Sequence, residues 1–147
     1  MADTIVARST AEGKAAISVV RLSGPGTRTI LEHAIDGSAQ DVFHTARRLR
    51  RKWILDGNKR RVDEVLVAFF PAPNSYTGQD VAEVHTHGGQ KVTAMVVDSL
   101  LAAGARTARP GEFTWRAFEN GKLDLSAAEA VAHIIDARTE AEVLGAR

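Results

Sequence analysis

The sequence Val65-Leu66-Val67-Ala68-Phe69-Phe70 decides the fold class, because an extended strand made from it carries apolar side chains on both faces. Such a strand is typical of the centre of a sheet that is covered on both sides. Just upstream, Asp56-Gly57-Asn58 separates two strand-like runs, 47–55 and 62–70, and this arrangement predicts a β-hairpin. We therefore expect a sheet with residues 65–70 as a central, doubly covered strand.

The segments on either side of this hairpin have the patterns of further strands and helices. Strands are predicted at 4–7, 16–22 and 80–86 from their apolar character and from the turn residues that bound them. Two apolar stripes at helical spacing predict helices that end at Gly37 and Gly104. A capping box at 126–129 predicts one more helix, with a single stripe that reaches Leu144. The class that follows is α+β.

The composition narrows the kind of protein. The chain has 147 residues, enough for one domain with a core or a small domain with an appendage. Its 19 Lys and Arg residues nearly balance 18 Asp and Glu residues, so no global attraction to nucleic acid or to an anionic membrane is expected. No cysteine is present, which excludes disulfides, thiolate catalysis and Cys-ligated zinc. No secretion signal or membrane-spanning run is visible, and a cytoplasmic protein is expected.

Residues 110–125 mix aromatic, acidic, basic and turn residues in one run, Pro-Gly-Glu-Phe-Thr-Trp-Arg-Ala-Phe-Glu-Asn-Gly-Lys-Leu-Asp-Leu. The mixture does not fit one amphipathic element and favours a polar connector braced by local ion pairs. The alternative is a binding site, because charges beside Phe113, Trp115 and Phe118 would be partly desolvated.

Two charged residues interrupt apolar strand patterns. Arg21 continues the row of Ile17 and Val19, and Glu83 shares a strand face with Val81 and His85. Either the two charges form an internal ion pair or they bind a polar, charged ligand.

His85 and His87 also share a face and could hold a metal, although a third ligand is lacking. We favour a turn at His87-Gly88-Gly89 that lies near a ligand, and we assign no metal site.

A set of motifs resembles the MnmE (TrmE) family of tRNA-modifying GTPases. The motifs occur in the order of the family and span nearly the whole chain: Asp3-Thr4-Ile5-Val6-Ala7, Val20-Arg21-Leu22-Ser23-Gly24-Pro25, Pro73-Asn74-Ser75-Tyr76-Thr77-Gly78-Gln79-Asp80, Val81-Ala82-Glu83-Val84, His87-Gly88-Gly89, Pro110-Gly111-Glu112-Phe113-Thr114, Arg116-Ala117-Phe118, Asn120-Gly121-Lys122-Leu123-Asp124-Leu125 and Ala128-Glu129-Ala130. The sequence departs from the family pattern at Gln79, where Glu is usual, and at Glu119, where an apolar residue is usual.

The resemblance implies a fold similar to the tetrahydrofolate-binding domain of the glycine-cleavage aminomethyltransferase. It implies an N-terminal folate-binding and dimerisation domain over 1–121 and the start of a truncated helical domain over 122–147. It places the contacts to 5-formyltetrahydrofolate, or a related tetrahydrofolate, on Arg21, Glu83 and Lys122, and it assigns no catalytic residue. Tyr76, Phe113, Trp115 and Phe118 either belong to the core or line a slot for the pterin, and the core is expected for Phe113 and Phe118.

The resemblance also implies a role in tRNA modification. The folate would serve as one-carbon donor or donor mimic for carboxymethylaminomethyl modification at C5 of the wobble uridine. The expected partners are tRNA, a second copy of the chain and the flavoprotein MnmG (GidA). GTP, Mg and K belong to the G domain of the family, and G-x-x-x-x-G-K-[S/T] does not occur here. We therefore expect a chain that does not itself hydrolyse GTP by the mechanism of the family.

Three alternatives stay open. One is a stand-alone folate enzyme of the aminomethyltransferase type, with Asp124 or Glu112 as its acid–base residue. Another is a dimerisation scaffold that binds no ligand.

The third concerns the basic segment 47–61, which is either a solvated sheet edge protected from aggregation or a surface that contacts tRNA phosphates.

Overall fold

One mixed sheet organises residues 3–146, which are the residues that this computed structural model describes. The strands and helices follow one another as β1 (Ile5–Arg8), β2 (Ile17–Ser23), α1 (Thr27–Ala34), α2 (Gln40–His44), β3 (Arg50–Leu55), β4 (Arg61–Phe70), β5 (Val81–His87), α3 (Gln90–Ala102), β6 (Arg106–Thr107), α4 (Glu112–Glu119), α5 (Leu125–Asp136) and α6 (Glu140–Gly145). The strand order is β3-β4-β5-β2-β1-β6. All neighbouring strands are antiparallel except β1 and β6, which are parallel. The α+β class is confirmed.

The core lies on one face of this sheet. Alternate residues of the central strands point to it and are fully buried, and α1 and α3 cover them with their own apolar stripes. Burial of one such Val, Leu, Ile or Phe side chain is worth roughly 1.5–3 kcal/mol, so this layer supplies the main stabilisation. The sheet residues that share this core are Val6, Val20, Leu22, Ile54, Val65, Val67, Phe69, Ala82 and Val84.

The opposite face of the sheet is only partly covered. On β4, Ala68 is buried on this face, whereas Leu66 keeps 41% of its surface exposed. The expectation that residues 65–70 are covered on both sides is therefore correct at Ala68 and wrong at Leu66. The side chains of Arg21 and Glu83 lie on this second face, on the central strands β2 and β5, and both are half-buried.

The hairpin between β3 and β4 is confirmed. The Asp56 carboxylate accepts hydrogen bonds from the backbone N–H groups of Asn58 and Arg60, both at 2.9 Å, and this fixes the turn. The first strand begins at Arg50 rather than at residue 47. Arg47 adopts a left-handed conformation with φ of 66°, which an extended strand does not include. β3 forms one edge of the sheet.

The prediction of a polar connector over 110–125 is wrong, because residues Glu112–Glu119 form α4. Its inward side carries Ala117, which is fully buried, and the guanidinium-bearing side chain of Arg116, which is 6% exposed. A charged residue on the buried side obscures the amphipathic pattern. The predicted bracing by ion pairs is present, since Arg116 contacts Glu112 one turn earlier.

The C-terminal region contains two helices instead of one. The N-cap of α5 lies two residues before the predicted one, because the Asp124 carboxylate, and not Ser126, accepts a hydrogen bond from the backbone of Ala127 at 2.7 Å. Ala137 has extended backbone angles and ends α5, and Thr139 caps α6. The short elements α2 and β6 were not predicted either.

Within residues 3–146, no helix combines the length and the apolar character that crossing a membrane requires.

Candidate functional site

Arg21 and Glu83 face each other across two antiparallel strands. They are direct partners in the register of β2 and β5, and their side chains share the partly open face of the sheet. No salt bridge joins the two side chains in the part of the chain that the structure describes, so the internal ion pair is not formed. The Glu83 Oε1 atom instead lies 3.0 Å from Nε2 of His85. Glu83 thus contacts the neighbouring histidine of its own strand and not the cation on the opposite strand.

Arg21 is held by aromatic rings. Its guanidinium carbon lies 5.4 Å from the ring centre of Tyr76 and 5.3 Å from that of Phe113. Both distances are typical of cation–π contacts. The Tyr76 hydroxyl lies 2.8 Å from Oγ1 of Thr114 and so joins the loop after β4 to α4. These contacts fix the direction of the Arg21 side chain without using its N–H donors.

A cleft of about 650 Å³ opens beside Arg21. Tyr76, Phe113, Arg8 and Arg109 contribute to its walls, as do Val131 and Ile135 from α5. The expectation that Phe113 belongs to the core is wrong, because the residue is half-buried and lines this cleft.

Phe118 and Trp115 lie on the other side of α4. Phe118 is also half-buried, against the expected place in the core, and packs against Trp115 with 5.3 Å between the ring centres. Trp115 keeps 55% of its surface exposed. Neither residue lines the cleft beside Arg21, so neither is positioned for stacking there.

Lys122 lies against the loop that carries Tyr76. Its backbone N–H donates to the carbonyl of Ala117 at 2.8 Å, and a β-carbon built on Gly78 would lie 3.4 Å from its Cγ. The neighbouring Asn120 donates from Nδ2 to the carbonyl of Thr77 at 2.7 Å and anchors this approach. The Lys122 side chain is exposed, and neither it nor Glu83 forms part of the cleft wall. The structure therefore brings Arg21 and Glu83 together and places Lys122 at the adjacent loop.

A buried arginine organises the region where the N-terminus meets α4. Arg116 Nη1 donates to the carbonyl of Asp3 at 2.6 Å and to Gln79 Oε1 at 3.1 Å. Gln79 Oε1 also accepts from Ser23 Oγ at 2.8 Å, so the amide oxygen at this position serves two donors without a formal charge. The sequence placed Arg116 only among the partly desolvated charges of 110–125 and did not predict its organising role.

Glu112 completes the same network. Arg106 donates to both of its carboxylate oxygens, at 2.9 and 2.7 Å, and Arg116 adds a third bond at 3.2 Å. The hydrogen bonds from Arg106 outweigh partial desolvation and lower the pKa of Glu112 to about 2. A carboxylate held in this way is a poor general acid or base near neutral pH.

Glu112 and Asp124, the acid–base candidates for an enzyme of the aminomethyltransferase type, both have structural roles. Glu112 is fixed by two arginines, and Asp124 caps α5. This argues against an independent folate enzyme that uses either residue.

The two histidines of β5 each contact a carboxylate. His87 Nδ1 lies 2.7 Å from Asp63 Oδ1, and the backbone N–H of His87 donates to Asp63 Oδ2 at 3.0 Å. Asp63 thereby fixes the start of the turn that was predicted at His87-Gly88-Gly89, while its position near a ligand stays a prediction. At Gly88 the turn passes so close to the segment before β2 that a β-carbon would lie 2.1 Å from the Ala15 carbonyl oxygen. Residues 3–146 contain no group of three or more potential metal ligands.

Half of the eight cations in the basic segment 47–61 are paired with acidic side chains. Four of its cations contact carboxylates in the pairs Arg51–Glu64, Lys52–Asp41, Arg60–Asp56 and Arg61–Asp36, at 3.8, 2.7, 2.9 and 2.9 Å. Because the segment also includes the edge strand β3, this arrangement favours a solvated, protected edge over a phosphate-binding surface.

Comparison with known proteins shows which family the chain is similar to. Residues 4–122 match the family described as GTP-binding protein TrmE N-terminus. The chain is 50% identical over 142 residues to the tRNA modification GTPase MnmE of Phenylobacterium zucineum, and 49% identical over 142 residues to that of Paramagnetospirillum magneticum. It is 47% identical over 138 residues to the MnmE protein of Thermotoga maritima. These alignments cover 97%, 97% and 94% of this chain, and 31%, 31% and 30% of the three relatives. The chain therefore spans about a third of the length of these curated relatives.

Proposed function

Because the chain belongs to the family described as GTP-binding protein TrmE N-terminus, we propose that it forms the tetrahydrofolate-binding part of a protein that modifies tRNA. The observation that carries this proposal is the pair Arg21 and Glu83, which share a half-buried sheet face without an ion pair between them in the described residues. A cation and an anion that share a half-buried sheet face without bonding to each other are costly to desolvate unless neighbouring groups or a ligand offer complementary charge.

Tetrahydrofolate offers both kinds of group. Its reduced pterin presents an amino group and a ring N–H side by side, and the Glu83 carboxylate can accept a hydrogen bond from each. Its glutamate tail carries carboxylates that suit Arg21 or Lys122. The fold proposed for this purpose is the one used by the tetrahydrofolate-binding domain of aminomethyltransferases. 5-Formyltetrahydrofolate is the proposed ligand, as one-carbon donor or donor mimic.

The remaining roles rest on the family. Relatives of this chain are named as tRNA modification GTPases. We propose that the bound folate supports C5 modification of the wobble uridine, that two copies of the chain dimerise, and that MnmG shares the chemistry. GTP hydrolysis is proposed for the G domain of the full-length relatives.

Calorimetric titration with 5-formyltetrahydrofolate tests the folate site. Wild-type protein is expected to bind, and Glu83→Ala is expected to weaken binding by roughly 100-fold or more, because two hydrogen bonds to a charged group are lost. Glu32→Gln is the matched control, since Glu32 is exposed on α1, on the helical side of the sheet.

Two further measurements keep the result interpretable. Circular dichroism and thermal unfolding establish that Glu83→Ala remains folded. His85→Gln tests whether an effect passes through the contact between Glu83 and His85. Unchanged affinity in a folded Glu83→Ala variant would refute the assignment of Glu83, and absence of binding by the wild-type protein would refute the folate proposal itself.

A further inference from the structure

The charged residues that line the cleft beside Arg21 are all basic. Three arginines, Arg8, Arg21 and Arg109, contribute to its wall, and no Asp or Glu is found among its lining residues in the described part of the chain. None of the three forms a salt bridge within residues 3–146. This contrasts with the basic segment 47–61, where acidic side chains neutralise half of the cations.

Each guanidinium keeps donors available. Arg21 is held by the faces of Tyr76 and Phe113, and a guanidinium held in this way keeps the N–H groups in its plane available. Arg8 is half-buried and donates from Nη2 to the carbonyl of Gly13 at 2.9 Å, and its Nη1 makes no hydrogen bond within the described residues. Arg109 is exposed; its backbone N–H donates to Glu112 Oε1 at 2.8 Å and its carbonyl accepts from the Glu112 N–H at 3.0 Å, whereas its guanidinium makes no hydrogen bond within the described residues.

The remaining side chains of the cleft wall are largely apolar and lie beside the three arginines. Tyr76 and Phe113 give aromatic surface, and Val131 and Ile135 add aliphatic surface from α5. The volume of about 650 Å³ falls in the range of small-molecule sites, which is about 300–1,000 Å³. Such a cleft can accept an aromatic ring followed by several carboxylates.

We propose that Arg8, Arg21 and Arg109 bind the carboxylates of an oligo-γ-glutamate tail, so that the protein prefers folates with several glutamates over the monoglutamate. This inference rests on the proposed folate function and adds to it the chemical class of the preferred ligand. A monoglutamate presents two carboxylates, whereas each added residue presents one more to the same set of guanidinium groups.

The test compares two ligands on the same protein, 5-formyltetrahydrofolate with one glutamate and with three. By calorimetry the wild-type protein is expected to bind the triglutamate about tenfold more tightly, which corresponds to ~1.4 kcal/mol shared between two extra carboxylates. The ratio is expected to shrink as salt rises, because partly exposed ion pairs are screened. The double variant Arg8→Gln/Arg109→Gln is expected to bring the ratio close to one.

Two more variants sharpen the comparison. Arg109→Gln alone changes an exposed side chain and is expected to lower the ratio without disturbing the fold. Arg48→Gln removes an exposed arginine from the other end of the sheet, beside β3, and is expected to leave the ratio at its wild-type value.

Equal wild-type affinities for the two ligands would overturn the tail site while leaving the folate site in place. A preference that persists in the folded Arg109→Gln and double variants would also overturn it. Failure of the wild-type protein to bind either ligand would overturn both this inference and the proposed function.

Discussion

Replacing Glu112 with Gln tests the network that fixes α4 to the N-terminal strand. The Glu112 side chain is 11% exposed and accepts hydrogen bonds from Arg106 and Arg116. Its pKa falls from an ordinary 4.5 to about 2. That change corresponds to about 3 kcal/mol of stabilisation of the folded state when the carboxylate is charged. Glu112→Gln should remove most of it and leave two arginines without their shared anion.

The stabilisation by the Glu112 carboxylate is expected to decrease as the pH falls. Because the folded-state pKa is lowered, the stabilisation is complete above the unfolded pKa of 4.5 and is lost as the pH falls towards 2. The difference between wild-type protein and Glu112→Gln should be about 3 kcal/mol at pH 7 and about half of that at pH 3.

Urea unfolding followed by circular dichroism at the two pH values measures this difference. Glu119→Gln is the matched control, because Glu119 lies at the end of the same helix, is exposed and forms no salt bridge in the described chain. Its effect should stay within about 0.5 kcal/mol. A loss of stability at Glu112→Gln that is equal at pH 7 and pH 3, or no loss at pH 7, would show that the carboxylate charge does not stabilise the fold.

Two further substitutions test local features of the backbone. Gly88→Ala should lower the free energy of unfolding by roughly 1–3 kcal/mol, because its β-carbon would lie 2.1 Å from the Ala15 carbonyl oxygen. Gly57→Ala is the control, since its β-carbon would have its nearest neighbour at 3.8 Å, and equal thermal stability of the two variants would contradict the close approach at Gly88. Asp124→Ala should destabilise α5 by about 1 kcal/mol, whereas Ser126→Ala should have little effect. Hydrogen exchange in α5 measures both effects. A larger loss in Ser126→Ala would show that Ser126, and not Asp124, caps the helix.

The central part of the fold could be predicted because its signals are local. β2, β4 and β5 have apolar residues at strand spacing between turn residues, and α3 has a clear apolar stripe. The exposed Leu66 could not be foreseen, because coverage of a sheet face depends on elements that are distant in sequence. α2 and β6 have five and two residues, too few to establish a period.

The candidate site was predictable only in part. Arg21 and Glu83 were visible because each interrupts an apolar row, and their register on adjacent strands confirms that they are neighbours. Arg116 gave no such signal, since its partners Asp3 and Gln79 are 113 and 37 residues away in sequence. The use of Tyr76 and Phe113 to hold Arg21 likewise depends on a loop and a helix that meet only in the folded protein.

The parallel pairing of β1 with β6 has a consequence for synthesis of the protein on the ribosome. Arg106 and Asp3, which clamp this pairing, are separated by 103 residues. At ~10 residues per second, β1 can pair with β2 early, but its other edge stays without a partner for on the order of 10 s, until β6 is made. An unpaired strand edge can template contact with another chain. β1 has only four residues, so this nascent edge stays short while the sheet is incomplete.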